Sequence, residues 1–164
     1  MLTKGCNHQC KYCHAAADYR FEDDSLKMES TTSEKVVDII LQSPSPDLTI
    51  EFQGGEPLSN IDVIEHIVAR VEEKNKTLGK RIRFALVTNM TLVDEAMAER
   101  LFKIPNLSIS TSLDGPKKVH DFNRLLLSKG KTLSSYDAMT DRIRYLRTQE
   151  EKHGKKLLMG AMGV

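Results

Sequence analysis

The feature that most constrains the fold is a change of hydrophobic period that repeats along the chain. Thr31 to Glu34 has the form of a capping box, and Val36, Val37, Ile40 and Leu41 supply the apolar stripe of a helix behind it. Ser43-Pro44-Ser45-Pro46 stops that helix, and Leu48 to Phe52 then alternates strictly, which is strand behaviour. Gly54-Gly55-Glu56-Pro57 breaks the strand, and Ile61, Ile64, Val68 and Val71 mark one face of a second helix. Arg81 to Val87 reads as the next strand, ending at Thr88-Asn89. Val93, Met97 and Leu101 mark a third helix that stops near Pro105. Leu107 to Leu113 alternates again and closes at Asp114-Gly115-Pro116. About twenty residues of weak periodicity follow, long enough to suggest a functional loop. A helix from Tyr136 to Gln149 and a strand from Lys155 to Met162 complete the series.

This alternation predicts parallel βαβ units in an α/β fold. Two architectures satisfy it, an open doubly wound sheet and a (β/α) barrel or partial barrel. Thr49, Glu51 and Gln53 share one face of a strand, as do Ser108, Ser110 and Ser112. A sheet covered on both sides is apolar on both faces, and a packed barrel interior is apolar too. Polar faces on successive strands therefore point to a partial barrel with a wet lumen; the other reading is edge strands with one wet face. Met1 to Lys4 looks like the stub of a preceding strand, and the chain stops in or after its last strand. The expectation is one domain over 1–164, the N-terminal portion of a barrel cut at both ends.

Bulk properties mainly exclude. The 164 residues fit one domain with a sizeable core. The net charge of +1 gives no global basic field for nucleic acid or an anionic membrane. No apolar run approaches the roughly 18 residues of a membrane helix. The start of the chain lacks the form of a signal peptide. A cytoplasmic protein without nucleic-acid or membrane partners is expected.

Chemistry concentrates near the N-terminus. The chain has three cysteines, Cys6, Cys10 and Cys13, in a C-x3-C-x2-C arrangement. An odd, tightly clustered set makes a poor disulfide framework and a good metal framework. Thiolate suits iron–sulfur clusters and zinc. Structural zinc wants four ligands, which His8 or His14 would have to complete. A [4Fe–4S] cluster held by three cysteines leaves one iron open to a substrate or cofactor.

With Tyr12 before the third cysteine, this arrangement resembles the signature of radical S-adenosylmethionine (SAM) enzymes. The resemblance implies that Cys6, Cys10 and Cys13 bind three irons and that SAM chelates the fourth. Gly54-Gly55-Glu56-Pro57 resembles the family's glycine-glycine-glutamate segment, whose backbone would meet the SAM ammonium; a plain strand-to-helix turn is the other reading. Thr88-Asn89 stands where many relatives carry Thr-Asn-Gly, with Met90 replacing the glycine, which makes Asn89 a candidate for the cofactor; an ordinary turn with an Asn cap is the other reading. Ser110 to Pro116 resembles a segment of peptide and sulfatase maturases, which implies Ser112 as a donor to the SAM carboxylate; turn chemistry alone at Asp114-Gly115-Pro116 is the other reading. Arg124, in the loop that follows, is a candidate for the same carboxylate or for the peptide substrate, with a plain surface arginine as the other reading. His120 reads as structural. Glu51 and Gln53 share the inward face and are candidates for substrate contact, or a hydrogen-bonded pair with none.

Glu51 to Leu58 and Ser110 to Pro116 are most similar to radical SAM maturases of His-Xaa-Ser systems, and somewhat less to anaerobic sulfatase maturases. The implied reaction is reductive cleavage of SAM to a 5′-deoxyadenosyl radical that abstracts hydrogen from a peptide or small protein, with flavodoxin or ferredoxin as reductant. Such relatives carry a cysteine-rich C-terminal extension, whereas no cysteine follows Cys13. The chain is therefore either a fragment or a protein without auxiliary clusters, and because the apparent truncation of the barrel would leave the lumen open, the chain alone is expected to carry the signature without turnover. The rivals are a zinc-binding interaction module and a radical SAM enzyme acting on a non-peptide substrate.

Overall fold

The computed structural model describes residues 1–128 and 131–162. Its strands are β1 (His8–Cys10), β2 (Asp47–Phe52), β3 (Arg81–Thr88), β4 (Leu107–Ser112), β5 (Arg124–Ser128), β6 (Lys131–Leu133) and β7 (Leu158–Met162). Its helices are α1 (Ser30–Leu41), α2 (Ile61–Leu78), α3 (Glu95–Lys103), α4 (Lys117–Asn123) and α5 (Ser135–His153).

Four strands form a parallel sheet in the order β2-β3-β4-β7. A doubly wound sheet reverses its strand order at a switch point, whereas a barrel adds each strand beside the last. Here the order follows the chain. One face is apolar and buried: Ile50 and Phe52, Ile82, Phe84 and Leu86, Leu107 and Ile109. These side chains join Val37, Ile64, Val71, Leu101 and Leu146 of the helices in one core. In β3 this face reads Ile82, Phe84, Leu86, and the opposite one Arg83, Ala85, Val87, as the period of two requires.

The opposite face stays half-buried or exposed. Glu51, Ala85 and Ser108 stand side by side across the register, and Val87, Ser110 and Gly160 form the next row. Leu158 and Met162 are exposed on this face. One-sided burial together with sequential parallel strands makes the molecule a partial (β/α) barrel. The first residues take the place of a strand beside the end of β2. Leu2 N–H donates to Gln53 O at 2.9 Å, Gly55 N–H to Thr3 O at 2.9 Å and Glu56 N–H to Gly5 O at 2.8 Å.

Two readings of the sequence need correction. The weakly periodic stretch after Pro116 is α4, β5 and β6, not one loop, and it builds a second, antiparallel sheet of order β1-β5-β6. Strands this short show no period of their own. The capping box also fails: α1 starts at Ser30, its N-cap position is Glu29, and no side chain caps it. Glu34 instead faces Arg70 of α2, Oε1 to Nε at 2.8 Å, so a contact between helices takes the carboxylate.

Candidate metal and cofactor site

The cysteine loop hangs between the two sheets. On one side Cys6 N–H donates to Asp18 O at 2.7 Å, beside the bridge between Gly5 and Asp18. On the other, β1 pairs with β5, which sets Cys10 opposite Arg124. A turn then brings Cys13 back, its N–H donating to Cys10 O at 3.2 Å. Cys6 is buried, Cys10 half-buried and Cys13 exposed. All three line one cleft of about 270 Å³ at the C-terminal ends of β2, β3 and β4.

That cleft gathers most of the residues singled out from sequence. Gln53, Gly54, Gly55, Asn89, Ser112 and Arg124 line it with the cysteines. Glu51 does not; it lies lower on the open face and is exposed. Glu56 is placed differently again, fully buried beneath the strand ends. Its Oε1 accepts from Leu58 N–H at 3.0 Å and from the Thr88 hydroxyl at 2.7 Å, and its Oε2 accepts from Asn89 N–H at 2.8 Å. Every bond goes to protein, so the carboxylate clamps the end of β3 to the turn after β2. Burial pushes the Glu56 carboxyl up, against the pull of its three donors.

The two glycines have a use that the sequence left hidden. A Cβ at Gly54 would stand 2.5 Å from Thr3 O, and one at Gly55 would stand 2.2 Å from Gly5 O. Both would collide with backbone, so the pair is small because the N-terminal segment lies against it. Asn89 reaches into the cysteine loop: Nδ2 donates to Asn7 Oδ1 at 2.8 Å and points at Cys6 Sγ from 3.9 Å. The Thr91 hydroxyl donates to Asn89 Oδ1 at 2.7 Å and accepts from Asn7 Nδ2 at 2.9 Å. Its lone hydrogen is thereby used, so at His8 Nε2, 3.2 Å away, the imidazole is the donor. Met90, where the resemblance expects glycine, has φ +68 and is fully buried. The left-handed turn is kept by a side chain that packs in the core.

The antiparallel sheet contributes a buried ion pair. Arg124 Nε stands 3.0 Å from Asp114 Oδ1, with side-chain exposures of 11% and 1%. The Tyr12 hydroxyl donates to Asp114 Oδ2, and Asp114 N–H reaches His120 Nδ1 at 3.4 Å. Burial, then the Asp114 carboxylate, hold the Tyr12 phenol above its ordinary range. Burial lowers His8 to about 4, aided by the Arg124 and His120 charges. In the sequence Asp114 and Tyr12 read as parts of two separate motifs and not as partners, because a pairing across 102 positions leaves no local pattern. His8 and Thr91 were missed as parts of the cleft wall and its bracing.

The donor set fits a thiolate-bound metal cluster. Burial drives the Cys6 thiol up to about 12, with the Glu56 charge adding to it. Burial also raises Cys10, with Arg124 pulling the other way. Thiolates in such places need a cation directly against them. Donors already stand around the sulfurs: His8 N–H is 3.4 Å from Cys6 Sγ, and Arg124 Nη1 is 3.9 Å from Cys10 Sγ. Among the described residues, no three His, Cys, Asp or Glu side chains close on one point as the ligands of a single ion do. Three thiols in one cleft are the soft ligand set that an iron–sulfur cluster takes.

Comparison with known proteins gives a consistent picture. The sequence profile of the Radical SAM superfamily matches residues 1–149. A cysteine-type anaerobic sulfatase-maturating enzyme of Clostridium perfringens is 33% identical over 74% of this chain and 33% of its own length. An Fe-coproporphyrin III synthase of Methanosarcina barkeri is 31% identical over 73% of this chain and 27% of its own. This chain thus spans about a third or less of these relatives. Among solved structures, native anSMEcpe with bound AdoMet and Kp18Cys peptide superposes with a TM-score of 0.76, at 25% identity, over 99% of this chain and 41% of that one.

Proposed function

We propose a function from one premise: this chain belongs to the radical SAM superfamily, whose members use a [4Fe–4S] cluster and SAM. The observation that carries the reading is the meeting of three cysteine thiols in one cleft at the strand ends. In this reading Cys6, Cys10 and Cys13 hold the cluster. Gly54, Gly55, Asn89, Ser112 and Arg124 form the SAM side of the cleft. Residues 1–164 are the N-terminal portion of the catalytic core domain. When bound, the two groups supply one-electron cleavage of a sulfonium bond and abstraction of a hydrogen atom from substrate.

The chain's own residues position these groups. Asp114 holds the Arg124 guanidinium by Nε, which leaves its terminal nitrogens facing Cys10 and the cleft. A fork fixed in this way suits a carboxylate such as that of SAM. Glu56 fixes the backbone of Asn89, and Asn89 in turn fixes Asn7 within the cysteine loop. Glu56 is thus a positioning residue, not a contact for SAM.

The substrate of the reading is a peptide or small protein that approaches over the open face of the sheet, past Glu51 and Gln53. Similarity to a sulfatase-maturating enzyme, and a solved relative holding a peptide, support this class. A His-Xaa-Ser-type maturase falls within it. A one-electron reductant such as flavodoxin or ferredoxin completes the partners. Similarity to an Fe-coproporphyrin III synthase favours a second reading, a non-peptide substrate at the same site. The test is iron and acid-labile sulfide per chain after anaerobic reconstitution, with Cys10→Ala as control. About four of each, falling sharply in the control, is the expected result. Zinc with negligible iron would refute the reading.

A further inference from the structure

Two hollows reach the cysteine loop. Besides the cleft at the strand ends, a shallower recess of about 340 Å³ reaches the same thiols and is lined by Gln9, Lys11 and Tyr19 among others. Cleft and recess share His8, Cys10 and Cys13, so both reach the cysteine loop. Beside the recess stands the outer face of α4. Lys118, Val119 and Phe122 lie three and four positions apart and are exposed, while His120 on the opposite side is buried. Lys11 joins the two parts. Its N–H donates to Asn123 O at 2.9 Å, and its Nζ lies 2.8 Å from the centroid of the Phe122 ring.

Two properties set this surface apart. It exposes large apolar side chains, Tyr19 at 67%, Val119 at 46% and Phe122 at 64%. It also carries uncompensated positive charge. The neighbouring Lys117 is engaged by Asp121 and Asp137, but among the described residues neither Lys11 nor Lys118 meets a carboxylate. Aromatic groups among free lysines are the composition of a surface that takes a negatively charged protein partner and steers it electrostatically.

We propose that this surface, centred on Lys11 and Phe122, docks an acidic one-electron carrier protein, which passes its electron through the recess to the cluster on Cys6, Cys10 and Cys13. The inference rests on the functional reading above. The carrier loses one electron and the cluster gains one, with no bond made or broken. Gln9, Lys11, Ala16, Ala17 and Tyr19 line the recess and not the cleft, so the carrier meets the cysteine loop over residues other than those of the SAM side.

The test uses the reconstituted chain and a bacterial flavodoxin hydroquinone as probe, reading the loss of cluster absorbance by anaerobic stopped flow. Lys118→Glu and Phe122→Ala, both outside the cysteine loop and the cleft, are compared with the parent, and dithionite is run in parallel. The expected result is a fall of about tenfold in the flavodoxin rate for Lys118→Glu, with a flatter dependence on salt, and unchanged bleaching by dithionite. Equal flavodoxin rates in parent and variants overturn the docking surface. So does a change in oligomeric state with the flavodoxin rate intact, which would make the face a contact between copies. Failure of the parent to form a chromophore that dithionite bleaches overturns the functional reading itself, a separate outcome.

Discussion

Replacing Glu56 with glutamine tests whether polar clamps, as well as the core, set the shape of the cleft. The parent carboxylate accepts from Leu58 N–H, the Thr88 hydroxyl and Asn89 N–H at zero exposure. Glutamine keeps one carbonyl oxygen, enough for the two donors on Oε1. The amide then faces Asn89 N–H with a donor of its own, so that backbone donor is stranded. A hydrogen bond to a charged group contributes about 1.5–3 kcal/mol, and a stranded buried donor costs about 1–3 kcal/mol. Relief of the buried charge works in the other direction, since burial raises the Glu56 carboxyl. The net expectation is a loss of about 2 kcal/mol, or roughly 4–8 °C in Tm for a chain of this size. The assay is urea unfolding of the metal-free, reduced chain followed by circular dichroism, with Tm from a parallel melt. Glu56→Gln should lower the midpoint at unchanged slope. A variant as stable as the parent would refute the clamp, because it would mean that no donor at the strand ends depends on the second oxygen.

Three further outcomes follow from the geometry. Gly55→Ala drives a Cβ into the Gly5 carbonyl at 2.2 Å, so it should part the N-terminal segment from β2 and cut iron loading after reconstitution several-fold; full loading would show that the segment yields freely. Asp121→Asn should flatten the acid limb of stability. Burial works against the Asp121 charge, but bonds from Tyr136 N–H, Lys117 and Ser134 outweigh it and hold the carboxyl at about 2. The stability of about 2 kcal/mol contributed by its charge is therefore present above the ordinary value of 3.8 and is lost as pH falls towards 2. Identical parent and variant slopes in that window, read from urea midpoints, would refute this. Arg124→Ala leaves the 1%-exposed Asp114 carboxylate unpaired and should cost about 3 kcal/mol in the same urea assay, whereas Arg124→Ala with Asp114→Asn should recover much of it; no recovery in the double variant would mean the pair is not coupled.

The parallel sheet was legible because its strands are five to eight residues long, and β2, β3 and β4 show a period of two against the helices. The open face was legible for the same reason: polar residues at every second position of β4 have to point away from the core. The antiparallel sheet was not. β1 and β6 have three residues each, too few for a period, and β5 earns its place by pairing with partners far away in sequence. The site divides along the same line. Cysteine spacing announces itself within eight residues, and the glycines and Asn89 fall at strand ends that the pattern locates. Asp114 and Thr91 act through side-chain contacts 102 and 84 positions away, respectively, and no local signal marks them.

The compact motif therefore conceals a distributed dependence. Cys6 is fixed from the barrel side, through Asp18 O, the Gly5–Glu56 bond and the Asn89 amide. Cys10 is fixed from the other side, through its pairing with Arg124, whose guanidinium is itself tied to Asp114 at the end of β4. Cys13 depends on Cys10 through a turn. The three sulfurs thus take their positions from supports that form only when both sheets are in place. A cluster needs its ligands at fixed separations, and the unfolded chain does not hold them there. Cluster binding should accordingly stabilise the junction of the two sheets more than the helical layer, and hydrogen-exchange protection gained on reconstitution should concentrate in β1, β5 and the segment around Gly54 and Gly55.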